Sequence, residues 1–370
     1  MKEYKLNEGA SVILDLIRGV SAQIVVIGHG ISFFGIFTFL HEPNFPWMQN
    51  IAVLIFFLLS GFLISYSTVR KRSNDEHYGF RQYFIERFSR IYTAFIPSII
   101  FVCMLDLISK NMNPASYAYG DAYDVKTFIG NLFMLQDYSI FSVLHNDFIT
   151  SFGSARPFWT LAIEWWIYLS FGYFMLVTLK KDKSSISDLL ILSFLSIVPA
   201  YNLITGRGNG LTAYWLFGSL VYIMSTLNIL KDVKLHIKIM SALIFVFLAF
   251  ARAYLRMQAY DPIFAFLLAV VLWLVIDIFK DKRFSTLAIK MIKYNASFSY
   301  TLYLVHYSIL DFIKSHFDGL LNPYALFAIG FITVNVISIS IGRYTEISLT
   351  KKVKMFLHKK FDDKQFAAST

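Results

Sequence analysis

The chain has 370 residues, of which 56% are apolar and 18% aromatic, and its mean hydropathy is +0.56. Only 16% are charged, and apolar runs of about twenty residues recur along its length, which excludes an ordinary water-soluble enzyme. The net charge of +10 does not point to nucleic acid, because membrane proteins carry excess Lys and Arg on cytoplasmic loops, and a single cysteine, Cys103, excludes an intrachain disulfide.

The hydropathy pattern predicts an all-α polytopic membrane protein of about ten transmembrane helices, near 13–37, 48–68, 91–109, 158–179, 186–204, 211–229, 239–255, 262–279, 296–314 and 324–343. The connections then alternate sides, and most of the 34 Lys and Arg fall on one of them. Both termini are therefore expected in the cytoplasm. The whole chain reads as one integral-membrane domain, with 344–370 as a cytoplasmic tail. The first apolar run is too long, and too charged in its first half, for a cleavable signal.

That first span carries Asp15, Arg18 and His29. A charge inside a membrane is usually paired, facing a wet cavity, or functional. Arg18 and His29, eleven residues apart, return to nearly the same helix face about 16 Å along the axis. Snorkelling of Arg18 and a helix–helix hydrogen bond from His29 are the structural alternatives. In the second span, Ser60 and Gly61 let another helix approach closely. Arg87 and Arg90 share a helix face just before the third span. They suit bidentate phosphate binding, or serve as positive-inside anchors.

The long connection from Lys110 to Pro157 is expected outside, with several Tyr and with His145 and Asp147. Next, Phe158-Trp159-Thr160-Leu161-Ala162-Ile163-Glu164-Trp165-Trp166-Ile167-Tyr168 places Glu164 a turn or two inside the outer face, with Tyr168 at i+4. Spans five to eight read as scaffold. The ninth carries Tyr303 and His306 on one side, at a depth near that of His29. The last span ends at Arg343-Tyr344-Thr345-Glu346, read as a local ion pair.

Leu14-Asp15-x-x-Arg18-Gly19 with His29, Phe56-Phe57-x-x-Ser60-Gly61-Phe62, Arg87-x-x-Arg90, Phe158-Trp159-x-Leu161-x-x-Glu164-x-x-x-Tyr168 and Ser299-Tyr300-x-Leu302-Tyr303-x-x-His306, in this order, resemble the acyltransferase-3 family of bacterial membrane acyltransferases. Leu54 departs from the polar residue common there, and the likeness is to the form without a fused hydrolase-like domain.

The resemblance implies a multi-pass inner-membrane O-acyltransferase. Its donor would be acetyl-CoA or another acyl-CoA, and its acceptor a hydroxyl of an envelope or exported polysaccharide or glycolipid, with neither metal nor nucleic acid. Under it, His29 is the base or acyl carrier, with Glu164 and His306 as catalytic partners. Arg87 and Arg90 hold CoA phosphates, Arg18 guides the pantetheine, and Tyr168 and Tyr303 line the substrate site. Depths estimated from span ends allow His29, Glu164 and His306 to meet in the outer half. A secondary transporter also fits ten spans with buried Glu and His, but no internal repeat or matched pair of broken helices is present. A non-catalytic partner in glycan assembly is the third reading. The sequence assigns no oligomeric state.

Overall fold

The computed structural model describes residues 4–136, 138, 149–180, 184–205, 208 and 210–367. His145, Asp147, Lys183 and Arg207 lie outside them. Among the described residues the chain is helical and has no strand. Its helices are α1 (Glu8–Phe34), α2 (Met48–Asn74), α3 (Phe80–Met112), α4 (Val125–Leu132), α5 (Phe158–Leu176), α6 (Ile186–Ile204) and α7 (Leu211–Thr226), then α8 (Leu235–Arg256), α9 (Pro262–Phe279), α10 (Thr286–Ala296), α11 (Ser299–Phe317), α12 (Pro323–Arg343) and α13 (Thr350–Ala367).

Each expected span coincides with a helix. Seven of these helices are long and apolar enough to cross a membrane, the last running on from α12 to Phe361. The others are α5, α7 and α11. α7 has only 16 residues, α5 is diluted by Trp, Tyr and Glu164, and α11 by Asp311, Lys314 and two histidines.

The helices form two compact units interleaved along the chain. The first comprises Met1–Asn74, Tyr201–Ser299 and Leu321–Phe331. Its centre is the crossing of α2 with α7, where both helices use a glycine. A Cβ on Gly61 would lie 1.9 Å from the Trp215 carbonyl oxygen, and one on Gly218 would lie 2.0 Å from that of Leu58. The Trp215 indole N–H also donates to Ser60 Oγ at 3.0 Å. Small residues therefore do here what the sequence suggests, letting two backbones touch. At the start of α9, Asp261 caps the Phe264 amide at 2.8 Å and accepts both Nε and Nη2 of Arg252, at 3.1 and 2.8 Å, with Pro262 in the first turn.

The second unit comprises Asp75–Ala200, Tyr300–Leu320 and Ile332–Thr370. Its spine is α3, 33 residues long, which at 1.5 Å per residue exceeds a bilayer core. α5 packs on the N-terminal half of α3. The Trp165 ring meets those of Phe84, Phe88 and Tyr92, and Phe80 meets Tyr173. α4 folds back along the same helix, with Tyr123 OH donating to the Cys103 carbonyl and Tyr92 OH to that of Leu132, both at 2.9 Å.

The Lys110–Pro157 connection is therefore packed against α3 over much of its described length. Ser151, Phe152, Ser154 and Ala155 are all buried. Irregular backbone can be buried only if its polar groups find partners. Asn131 supplies two, accepting the Phe152 amide at 3.1 Å and donating to the Thr150 carbonyl at 2.8 Å. Asp106 supplies more, accepting the Ser154 amide at 2.8 Å and its hydroxyl at 2.6 Å.

Candidate functional site

In the first unit, α1 begins at Glu8, five residues before the expected span, so Arg18 lies about 15 Å inside the helix. Its cost there is shared with Asp15, whose Oδ1 accepts Arg18 Nη2 at 2.8 Å, one turn away. His29 is half-buried near the other end of α1. The glycines on either side of it take close contacts. A Cβ on Gly28 would meet Gln49 Oε1 at 2.5 Å, and one on Gly30 would meet the Phe327 ring at 2.7 Å. The backbone that carries the imidazole is thus gripped on both sides, and no bulkier neighbour fits.

The second unit holds the other six candidates. Tyr168 OH donates to Glu164 Oε1 at 2.6 Å, the i,i+4 pairing expected from the sequence. Tyr303 OH lies 2.6 Å from Thr160 Oγ1. Thr160 spends its own proton on the Pro157 carbonyl at 2.9 Å, so the phenol is the donor. His306 is fully buried, and its ring centre lies 5.7 Å from that of Tyr303. Its Nδ1 faces two carbonyl oxygens, Tyr303 at 2.7 Å and Leu302 at 3.2 Å. Carbonyls only accept, so Nδ1 carries the proton and Nε2 keeps a lone pair. Nε2 is thus the nitrogen left to accept a proton.

Arg87 and Arg90 share a face of α3 but have different neighbours. The Arg87 guanidinium lies over the Tyr83 ring, 5.7 Å from its centre, and 3.9 Å from Glu86. Glu86 is itself engaged by Lys354 Nζ at 2.6 Å and by Tyr78 OH at 3.0 Å. Arg90 pairs with Glu346 at 3.1 Å and lies over the Tyr300 ring, 5.7 Å from its centre. Lys354 therefore adds a third cation beside the arginine pair.

Glu164 sits level with these arginines along α3. Its neighbour Trp165 packs between Phe84 and Tyr92, and the Tyr168 carbonyl accepts the Tyr83 phenol at 3.0 Å. Glu164 and Tyr168 also lie within electrostatic range of half-buried Tyr300, as do Arg90 and Glu346. This differs from the depths estimated from span ends, which set Glu164 near the outer face and the arginines at the inner one. The cause is local. α5 starts beside Phe95, whose ring lies 5.1 Å from that of Phe158, after the buried 149–157 segment and well short of the far end of α3. Gln136 fixes that start by donating to the Phe158 carbonyl at 3.0 Å.

The second unit thus gathers three cations, three carboxylates and several phenols at one level, with Glu86 and Glu346 paired to the cations and Glu164 bonded to a phenol. Tyr300, Glu346 and Lys354 were missed as members of it. Glu346 was visible as an acid at the end of an apolar run, but its partner Arg90 is far away in sequence and no spacing announces it. Among the described residues no three His, Cys, Asp or Glu side chains are placed to hold a metal ion.

A family model described as an acyltransferase domain, that of acyltransferase-3, matches residues 12–343. Over 155 residues the chain is 30% identical to the peptidoglycan O-acetyltransferase OatA of Listeria monocytogenes, covering 39% of this chain and 23% of that protein. Over 189 residues it is 32% identical to the O-acetyl transferase of Shigella phage Sf6, covering 50% of this chain and 51% of the relative. The putative peptidoglycan O-acetyltransferase YrhL of Bacillus subtilis is 28% identical over 170 residues, covering 43% and 25%. The chain thus spans about half the length of these relatives or less. No solved structure is significantly similar.

Proposed function

The chain belongs to the acyltransferase-3 family, and we propose that it is a membrane O-acyltransferase moving an acyl group, acetyl foremost, from cytoplasmic acyl-CoA to a hydroxyl of an envelope or exported polysaccharide or glycolipid. The observation that carries this reading is the match over residues 12–343, which takes in every candidate residue. The O-acetyltransferase relatives supply the acyl group and the glycan class. The enzyme sits in the inner membrane with both termini in the cytoplasm, as the distribution of Lys and Arg supports.

In the reaction, the acceptor hydroxyl oxygen attacks the thioester carbonyl carbon, the carbon–sulfur bond breaks, and the hydroxyl proton passes to a base. His29 is that base, or it first takes the acyl group itself and passes it on. His306, with Nε2 as the lone-pair nitrogen, and Glu164, hydrogen-bonded to Tyr168, assist in charge and proton placement. Arg87 and Arg90 provide the positive surface for the donor phosphates, with Arg18 along the donor's way in. Tyr168 and Tyr303 line the substrate site.

The test is the purified protein given labelled acetyl-CoA with and without a glycan acceptor. Acceptor-dependent release of CoA with label on the glycan is expected. Intact thioester in the presence of acceptor, with movement of glycan or protons across vesicles, would favour the transporter reading.

A further inference from the structure

The two arginines of the proposed donor site are not equivalent, and the difference originates in Glu346. This residue stands in a π-helical turn, Tyr344–Leu349, between α12 and α13. Such a turn carries one extra residue and redirects the side chains within it. The turn is fastened locally, because Thr350 Oγ1 donates to the Thr345 carbonyl at 2.8 Å and lies 2.7 Å from Thr93 Oγ1 on α3.

The Glu346 side chain is 1% exposed. A carboxylate so deeply buried is tolerated only where a counter-charge is paired with it. Oε1 accepts the Thr301 amide at 2.8 Å. That amide belongs to the first turn of α11, where the helix leaves its own N–H groups without partners and its positive end favours an anion. Oε2 lies 3.1 Å from the Arg90 guanidinium as an ion pair. One carboxylate thereby joins the π turn, the start of α11 and the α3 guanidinium. Tyr303 lies two residues beyond Thr301 on α11, and His306 five.

We propose that Glu346 is a positioning residue. With Arg90 as its counter-ion it fixes the first turn of α11, and with it the placement of Tyr303 and His306, while Arg87 carries the larger share of the contact with donor phosphate. The division of labour rests on the acyl-CoA reading above; the fixing of α11 does not.

The test uses full-length protein with Glu346→Gln, Glu346→Asp, Glu346→Ala, Arg90→Gln or Arg87→Gln. It measures amide hydrogen exchange over residues 299–306, CoA affinity and the transfer rate. Exchange over this stretch should rise in the order Gln, then Ala, at position 346, because the amide still accepts from Thr301 but no longer pairs with Arg90. Glu346→Gln and Arg90→Gln should each lower the rate at saturating donor at least tenfold. Glu346→Gln should leave CoA affinity within about threefold of wild type, and Glu346→Asp should recover part of the rate. Arg87→Gln should weaken CoA binding more than Arg90→Gln and leave exchange over 299–306 unchanged.

Unchanged exchange in Glu346→Ala, or a rate loss in Glu346→Gln fully reversed by excess donor, would overturn the proposal. Should the wild type bind no CoA, the donor reading fails and exchange over 299–306 alone decides the role of Glu346. If the Ala variant does not fold, Gln and Asp still separate the outcomes.

Discussion

The Tyr83 phenol donates to the backbone carbonyl of Tyr168 at 3.0 Å, and that bond sets the level of α5 against α3. Beside it, Gly172 gives the Tyr83 ring its space, since a Cβ there would lie 2.2 Å from a ring carbon. The ring is buried and has nowhere to retreat. Gly172→Ala should therefore cost more stability than Tyr83→Phe, about 1–3 kcal/mol for overpacking against about 0.5–1.5 for one hydrogen bond. Thermal unfolding in detergent ranks the two, and the opposite order would show that α5 slides freely on α3.

His29→Ala should abolish glycan acylation while the protein still inserts and binds CoA. Loss of a positioned base costs about 10²–10⁴-fold in rate. Label retained on wild-type protein from acetyl-CoA alone, and absent from the variant, identifies an acyl-imidazole. Absence of retained label in both assigns His29 as the base for direct transfer. Near-normal acylation by a well-expressed variant would remove His29 from the chemistry.

Replacing Arg87 and Arg90 together by Gln should weaken CoA binding sharply, since each charge-assisted contact contributes about 1.5–3 kcal/mol. Binding to purified protein by calorimetry is the measurement. Unchanged affinity in a folded double variant would return the pair to membrane anchoring.

Much of this was legible in advance, for definite reasons. The 186–204 and 262–279 spans match α6 and α9 residue for residue, because a predominantly apolar run of this length bounded by polar residues reads as a membrane helix. Ser60 and Gly61 pointed to a close helix crossing, and Glu164 to Tyr168, because both signals are local. The buried path of the 149–157 segment was not legible. It depends on Asn131 and Asp106, polar side chains whose partners are backbone groups that no periodicity predicts. For the same reason the sequence pairs Glu346 with nearby Arg343, and only the fold brings it to Arg90.

Asp261 offers a test of the scaffold alone. Burial tends to raise its pKa, but hydrogen bonds from Arg252 and the Phe264 amide outweigh this and hold the carboxyl below its ordinary value. A depressed folded pKa gives stability that is present above the unfolded value and lost as pH falls through the folded one. Acid unfolding of the wild type should therefore include a contribution that Asp261→Asn lacks. At neutral pH, Asp261→Ala should cost about 1 kcal/mol through loss of the cap alone. Identical acid sensitivity in wild type and Asp261→Asn would show that the carboxylate is not what holds α9.

The pairing of Gly61 with Trp215 has a consequence for biogenesis. α2 leaves the ribosome long before α7 exists, so the bare backbone face of α2 must wait in the lipid while all of α3 to α6 is made. The first unit cannot close until Phe331 has been synthesised, and the second, opened at Asp75, needs the segment that begins at Ile332. A ribosome that stalls anywhere between these points leaves two unfinished halves and no finished one. Both units are therefore completed only after α11 has been made.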